Sequence, residues 1–372
     1  MKRIIDFLKR EKMFSISLIL SLISLPLAPF TLERVTNISW NTLMTLFMLF
    51  AALEGFKREH IFDPLMRLLG KIRGTFTLAL SLTLIIFFLS SFITNDVALL
   101  TFVPLTIYLF SKSEKKEFLA SIIITETISA NLGSLLTPFG NPQNLYIYNK
   151  MNVSASEFTL MMLPLYLISL LLIVLSLVFI FRKDMRNRIY ITAEDESESG
   201  NKSLRVLYIA LFAMTLLSVL GIFRTPPLFI LMVIILLCFD KTIFKKIDWP
   251  LLATFLCFFI FSGSIASNSY IANKLKSLTS HNEFALSLIL SQVISNVPAA
   301  ILLEPFSIDL KALLYGVDIG GLGTPVASLA SLISIRLFLK ETNEKKNFII
   351  SFLLWNIAFL IPLIIVGLLI LS

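Results

Sequence analysis

Three carboxylates stand inside long apolar runs: Asp96, Glu126 and Asp318. An acid in that setting is costly enough that its first reading is functional, as the holder of a cation or a proton. Asp96 follows Thr94-Asn95 in the middle of the apolar stretch Thr75 to Phe110, and a second stretch, Glu283 to Phe306, is interrupted in the same way by Ser295-Asn296. Asp318 opens Asp318-Ile-Gly-Gly-Leu-Gly-Thr324-Pro325, where Gly, Thr and Pro repeat the spacing of Asn131-Leu-Gly-Ser-Leu-Leu-Thr137-Pro138. Asp318 therefore takes the repeat position of Asn131, a charge for an amide. Gly, Thr and Pro are poor choices for an unbroken membrane helix. The carbonyls freed at such breaks suit sodium, which takes oxygen ligands, and the N–H groups of a restarting helix suit an anion. Neither hairpin and neither break contains Lys or Arg. An anion would be held by dipoles, hydroxyls, amides and a co-bound cation. Glu54 and Glu304 fall near the ends of predicted spans, and His60 and His281 on arms or loops; all four read as interfacial residues.

Residues of this kind have to be positioned by membrane-spanning elements. The 372 residues are 56% AVILMFWYC and only 15% charged, with a mean hydropathy of +0.86. Soluble domains carry roughly a quarter charged residues, so this composition places its apolar surface in lipid. Cys238 and Cys257 offer neither a disulfide framework nor zinc-site spacing. The net charge of +8 comes in short clusters between apolar runs, which is a topology signal and speaks against a nucleic-acid partner. No cofactor is expected beyond sodium or a proton as coupling ion.

A hydrocarbon core about 30 Å thick needs roughly 20 apolar residues per helix. Nine runs approach this, near 13–31, 38–54, 118–149, 157–181, 204–222, 226–239, 249–264, 311–335 and 348–371, with 75–110 and 283–306 read as re-entrant hairpins. No small-residue cleavage site follows the first run, so it reads as a retained span. Basic clusters flank the first hairpin on both sides, so its two ends belong on one face. With the N-terminus in the cytoplasm, only Arg34, Lys150, Arg224, Lys274, Lys276 and Lys311 fall outside, and the C-terminus is outside too.

The organisation that follows is a first segment (1–37), one unit (38–181), a cytoplasmic linker (182–203) with the acidic run Glu194 to Glu198, an extra span (204–222) and a second unit (226–372). Ile38-Ser-Trp40 opens one unit and Ile247-Asp-Trp249 the other; an arm (57–73; 267–280), a hairpin and a broken helix follow in each. The inserted span turns the second unit over. The fold class expected is an all-α polytopic membrane protein with an inverted-topology repeat, two re-entrant hairpins and two broken helices, which is transporter architecture with a midplane site.

At Ser90 to Pro104, Asn131 to Asn144 and Ser291 to Pro298 the chain resembles the ion transporter superfamily, from about Ser39 onward. This superfamily includes divalent anion/sodium symporters, citrate carriers, and the arsenite permease and sodium/proton antiporter branch. The resemblance implies a homodimer whose scaffold holds still while a domain of hairpins and broken helices moves as an elevator. In the sodium/carboxylate members each hairpin tip carries Ser-Asn-Thr, which binds sodium and a substrate carboxylate. Here the tips are Thr94-Asn95-Asp96 and Ser295-Asn296-Val297, so Thr94, Asn95, Ser295 and Asn296 carry over as sodium and substrate positions. The final Thr is missing from both, and Asp96 tilts the likeness towards the arsenite/antiporter branch.

The site expected is therefore Thr94, Asn95, Asp96, Asn131, Thr137, Pro138, Gly140, Asn141, Ser295, Asn296, Asp318, Thr324 and Pro325, with Asp96, Glu126 and Asp318 as proton or cation sites. The function expected is secondary active transport of a small carboxylate or inorganic oxyanion across the cytoplasmic membrane. The alternative is a cation/proton antiporter or an arsenite-type efflux permease. An intramembrane aspartyl protease would need two facing aspartates and leaves the repeat unexplained. No G-x-x-x-x-G-K-[ST] loop exists to hold ATP phosphates, so no ATPase subunit is called for.

Overall fold

A computed structural model describes residues 7, 11–27, 38–111, 115–185, 187, 200–341 and 345–372. The acidic run of the linker, and the N-terminal basic cluster before Lys12, lie outside the described residues. Seventeen α-helices and no strand are found among the described residues.

In chain order these are α1 (Lys12–Ser24), α2 (Trp40–Arg58), α3 (Asp63–Gly70), α4 (Thr75–Ile93), α5 (Asn95–Ser111), α6 (Leu119–Gly133), α7 (Pro142–Tyr148), α8 (Ala155–Phe181), α9 (Lys202–Val219), α10 (Thr225–Phe239), α11 (Trp249–Ala266), α12 (Ser269–Thr279), α13 (Glu283–Ile294), α14 (Asn296–Leu303), α15 (Leu310–Gly320), α16 (Leu329–Glu341) and α17 (Lys345–Leu371). Among the described residues six helical stretches are long and apolar enough to cross a membrane: Thr75–Ile93, Lys116–Leu136, Ala155–Phe181, Lys202–Val219, Trp249–Ala266 and Lys345–Leu371. This is a polytopic membrane protein.

The nine runs of the sequence reading sort differently in three dimensions. Those near 13–31 and 226–239 form helices of 13 and 15 residues. Those near 118–149 and 311–335 are broken in two. The first arm of the stretch 75–110 is by itself a 19-residue helix.

The breaks form where the sequence leaves the backbone no easy continuation. At Thr94 the chain takes φ 68°, ψ 145°, and at Ser295 φ 76°, ψ 153°. That region is close to glycine-only, and occupying it costs on the order of 1–3 kcal/mol. At each break the following Asn caps the new helix, the Asn95 side-chain oxygen accepting from Asp96 N at 3.0 Å and that of Asn296 from Val297 N at 2.9 Å. In the broken helices, α6 ends at Gly133 and α7 starts at Pro142, while α15 ends at Gly320 and α16 starts at Leu329. The restarts lie a few residues beyond Pro138 and Pro325, where the sequence placed them. The intervening residues run extended at Thr137, and Gly323 has φ 107°.

The helices sort into two packing groups. In one, α1 packs on α11, and α2 on α9, α10 and α11. In the other, α4 and α5 pack on α6, α16 on α5 and α6, α13 on α15, α14 and α15 on α7, and α8 and α17 on each other. The two groups meet mainly where α11 faces α14 and α2 faces α7. Gly133 permits the α4–α6 approach, since a Cβ there would lie 2.0 Å from the Phe87 carbonyl oxygen.

Polar ties gather the helix ends into two opposite layers. In one layer, Thr75 N donates to Asn187 O at 3.0 Å and Lys115 pairs with Asp184 at 2.9 Å, so the start of α4 and the segment just beyond α5 meet the same residues. In the other, Asn149 donates to Thr42 at 2.9 Å and Lys150 pairs with Glu304 at 3.4 Å.

The first layer also contains a clamp on the first packing group. Arg58, Tyr208 and Thr242 all hydrogen-bond to Asp240, tying α2, α9 and the end of α10. Burial pushes the Asp240 carboxyl up, but the hydrogen bonds from Arg58, Thr242 and Tyr208 and the Arg58 charge outweigh it and hold the group at about 2.

Candidate functional site

A cleft opens between the two packing groups, and the interruptions converge on it. Its wall on one side is Asn95, Asp96, Pro142, Gln143, Asn296, Val297, Pro298, Ser328 and Leu329; on the other it is Met13, Leu251, Thr254, Phe255 and Phe258. Asn95, Pro142, Asn296 and Leu329 are the first residues of α5, α7, α14 and α16. Four helix N-termini thus face one space, each carrying a partial positive charge, with their leading N–H groups largely taken by the tip, cap and turn bonds. Among the described residues no Lys, Arg or His lines it. The space admits about 20 Å³ of water-sized occupancy, roughly one water molecule or small ion. A tricarboxylate is too large for that space.

The bonds that build the wall recur in matched pairs. The tip N–H of Asn95 donates to Gly140 O at 3.3 Å, and that of Asn296 to Ala327 O at 2.9 Å. Gly140 and Ala327 occupy the same place after their Gly-Thr-Pro segments. Ser91 Oγ donates to Gly133 O at 2.7 Å, while Gln292 Nε2 donates to Gly320 O at 2.8 Å. Thr137 Oγ1 donates to Ser91 O, and Thr324 Oγ1 to Gln292 O. Two further bonds cross between the halves. Ser328 Oγ donates to Asn131 Oδ1 at 2.9 Å, and in the matching direction Asn141 Nδ2 donates to Asp318 Oδ1 at 3.5 Å.

These pairs divide the residues singled out in the sequence. Asn95, Asp96 and Asn296 line the cleft. Asn131 lies just behind it, accepting from Asn95 Nδ2 at 3.1 Å as well as from Ser328. Asp318, 3% exposed, accepts from Gln143 Nε2 at 3.1 Å through one oxygen, and its other oxygen has no partner among the described residues. Asn141 is fixed in its donor orientation, because its oxygen caps α7 by accepting from Asn144 N at 2.8 Å. Thr94 and Ser295 are the strained tip residues, both buried; Thr94 Oγ1 has no partner among the described residues.

Thr137 and Thr324 do not face the cleft: their hydroxyls are engaged in bracing the breaks. Pro138 and Pro325 lie in the extended turns, and Gly140 supplies the carbonyl for the first tip. A Cβ on Gly140 would stand 2.0 Å from Ser134 O, so the close turn requires glycine there. Glu126 lies off the cleft, inside the second packing group.

Three residues that position the site were not singled out in the sequence: Gln143, Ser328 and Gln292. Ser328 could have been found by extending the repeat spacing to Asn141. Gln143 and Gln292 could not, since nothing local distinguishes them from surface amides.

Among the described residues no cluster of three or more His, Cys, Asp or Glu could hold a multivalent metal. The oxygens available at the cleft, from hydroxyls, amides and isolated carboxylates, have the character that a monovalent cation needs.

The comparisons with known proteins bear on the whole chain. Residues 10–313 match the family model described as CitMHS, citrate transporter. The chain belongs to the citrate transporter family. It is a membrane transporter, not an enzyme. Over 305 residues it is 34% identical to the uncharacterized transporter MJ0456 of Methanocaldococcus jannaschii, covering 81% of each chain. Over 307 residues it is 33% identical to the inner membrane protein YbiR of Escherichia coli, covering 81% of this chain and 80% of that one. A shorter likeness, 28% over 151 residues, links it to the putative transporter arsB of Dictyostelium discoideum, covering 40% of this chain and 26% of that one. Family membership and the cleft agree on a small solute as the thing bound.

Proposed function

We propose that this chain is a secondary active transporter that moves a small anion, a carboxylate or inorganic oxyanion, coupled to sodium or protons. The observation that carries the reading is the convergence of four helix N-termini on a cleft that no basic side chain lines among the described residues. Such a site favours an anion through oriented dipoles, and releases it more readily than an arginine clamp would. Asp96 at the cleft and Asp318 behind it bring negative charge to the same place. A co-bound cation or proton on these acids removes the repulsion, which makes binding of anion and coupling ion mutually dependent.

The matched bond pairs support an inverted repeat with two re-entrant hairpins, α4–α5 and α13–α14, whose tips meet the broken helices. Helices α13 and α14 are 12 and 8 residues long, about 18 and 12 Å, too short to cross. The cleft lies between two packing groups whose own contacts are more extensive than those joining them. That arrangement supports an elevator, in which the hairpin group slides past α1, α2, α9, α10 and α11 carrying the site. Those scaffold helices would also form the homodimer. The basic clusters between the apolar runs support a cytoplasmic N-terminus, and the name of the Escherichia coli relative, an inner membrane protein, supports the inner membrane.

Uptake into proteoliposomes tests this. Labelled citrate, sulfate, phosphate or arsenite is offered with and without an inward sodium or proton gradient, for the wild type and for Asn296→Ala. Gradient-dependent uptake of one anion, reduced in the variant, is expected. Gradient-driven exchange of sodium for protons with no anion uptake would instead favour a cation/proton antiporter, the reading that Asp96 and Asp318 support by their charge.

A further inference from the structure

We propose that Glu126 takes up and releases a proton during the transport cycle, at a site of its own, separate from the cleft. The inference rests on the reading of an ion-coupled transporter and deepens it by assigning the proton to a residue.

Glu126 lies in α6, five residues before Asn131, about 7.5 Å along the helix from the layer of the cleft. It is wholly buried. Its Oε1 accepts from Thr106 Oγ1 of α5 at 2.5 Å, and its Oε2 has no partner among the described residues. Thr83 on α4, Ser129 on α6 and Ser331 on α16 each bury a hydroxyl that has no hydrogen-bond partner among the described residues, so such polar groups occur on the helix of the acid and on two that pack against it.

The ionisable residues of the elements packed on α6 do not provide a counter-charge. α4 carries none. Asp96 of α5 and Asp318 of α15 belong to the cleft region. Arg336, Lys340 and Glu341 of α16, Lys345 and Lys346 of α17, Lys116 and Glu117 before α6, Glu157 of α8 and Lys311 of α15 sit at or toward helix ends. The hydrogen bond that reaches the Glu126 carboxyl comes from Thr106. An ionised carboxylate in that place has one hydroxyl and no positive charge to set against its lost hydration. The group has to carry a proton for part of the cycle or admit one from a wetted path.

Packing does not require an acid here. Leu313 stands five residues before Asp318, as Glu126 stands five before Asn131, and it too is wholly buried. A leucine fills the corresponding place in the other half. The acid therefore costs stability at a position where an apolar side chain serves the packing. Its bond to Thr106 links α6 to α5, the helix whose first residue, Asn95, holds the hairpin tip to Gly140 and Asn131. A proton on Oε2 leaves Thr106 donating to Oε1 but turns a charge-assisted bond into a weaker neutral one, and so reaches the helix of the tip without any group entering the cleft.

The test is infrared difference spectroscopy of the purified full chain across a pH titration, on wild type, Glu126→Gln, Glu126→Leu, Asp96→Asn and Asp318→Asn. A buried protonated-carboxyl band that titrates between about pH 5 and pH 10 is expected in the wild type and in both aspartate variants. It should be lost in both glutamate variants; Glu126→Leu guards against a folding defect particular to a buried amide. An unchanged titrating band in the Glu126 variants would overturn the proposal. So would a Glu126 band that never titrates, which would mark a structural hydrogen bond. Failure of the cleft reading would show elsewhere, as the absence of any sodium or anion effect on the wild type, and would leave the titrating band in place.

Discussion

Asp318 and Asn131 occupy the same place in the two halves and differ by one functional group, so the chain contains its own control. Converting Asp318 to Asn gives both halves an amide. The new side chain still accepts from Gln143, so the fold is expected to survive, while any stabilisation by sodium or by low pH falls to near zero in thermal unfolding. Retention of the full ion effect in Asp318→Asn would remove the residue from the coupling site. At Gly140 the issue is steric. Alanine there meets Ser134 O at 2.0 Å, and the turn has to move. Gly140→Ala is expected to destabilise by about 1–3 kcal/mol, the usual cost of overpacking. Gly263→Ala, in α11 with nothing within 4 Å of the added carbon, is expected to stabilise by about 0.5–1 kcal/mol, as a helix interior prefers alanine. The two changes compared by thermal unfolding separate a required glycine from an incidental one.

At the scale of elements, the hairpin tips store strain that the rest of the structure sustains. Ser295 sits at φ 76° with two long hydroxyl bonds in return, to Ala327 O at 3.3 Å and to Asn296 Oδ1 at 3.5 Å. Ser295→Gly is expected to raise stability by about 1 kcal/mol while weakening anion binding, because strain held at a functional tip serves geometry. A clear loss of stability would mean that the hydroxyl matters more than the backbone. The clamp at Asp240 makes a pH prediction of definite sign. The folded group titrates at about 2, below the value near 3.9 expected unfolded, so its contribution is fully present above about pH 4 and is lost as pH falls through 2. Asp240→Asn should flatten the stability loss over that interval, measured by acid unfolding, with Asp184→Asn as a comparison in the other packing group. Tips and breaks were legible in the sequence because a polar pair or a Gly-Thr-Pro segment inside an apolar run has no other inexpensive explanation. The exact restarts of α7 and α16 were not, because capping by Asn141 and the turn through Gly323 decide them locally. The sorting of helices into two groups was not legible either. It depends on which apolar faces meet, and in a chain apolar on nearly every face the periodicity of the sequence does not choose a partner.

At the scale of the molecule, the cleft belongs to the boundary between the two groups. One wall is polar and built from both halves; the other, apart from Thr254, is apolar. An apolar surface opposite a polar one offers few competing hydrogen bonds, which is what the proposed sliding of one group past the other requires. The matched spacing of the two Gly-Thr-Pro segments was legible in the sequence, and so was the interest of Asn95, Asn131, Asn296 and Asp318. Their convergence was not, since Asn131 meets Ser328 and Asp318 meets Gln143 across nearly 200 residues of sequence. The measurement that tests the central claim most directly is thermal unfolding of the purified chain in sodium and in choline, at two pH values, across citrate, succinate, sulfate, phosphate and arsenite. A ligand at a hundredfold excess over its Kd stabilises by about 2.7 kcal/mol. One anion is expected to raise the unfolding temperature only when sodium, or protons at the lower pH, are also present. A shift from sodium or pH alone, to which no anion adds, would contradict an anion site at the four helix N-termini.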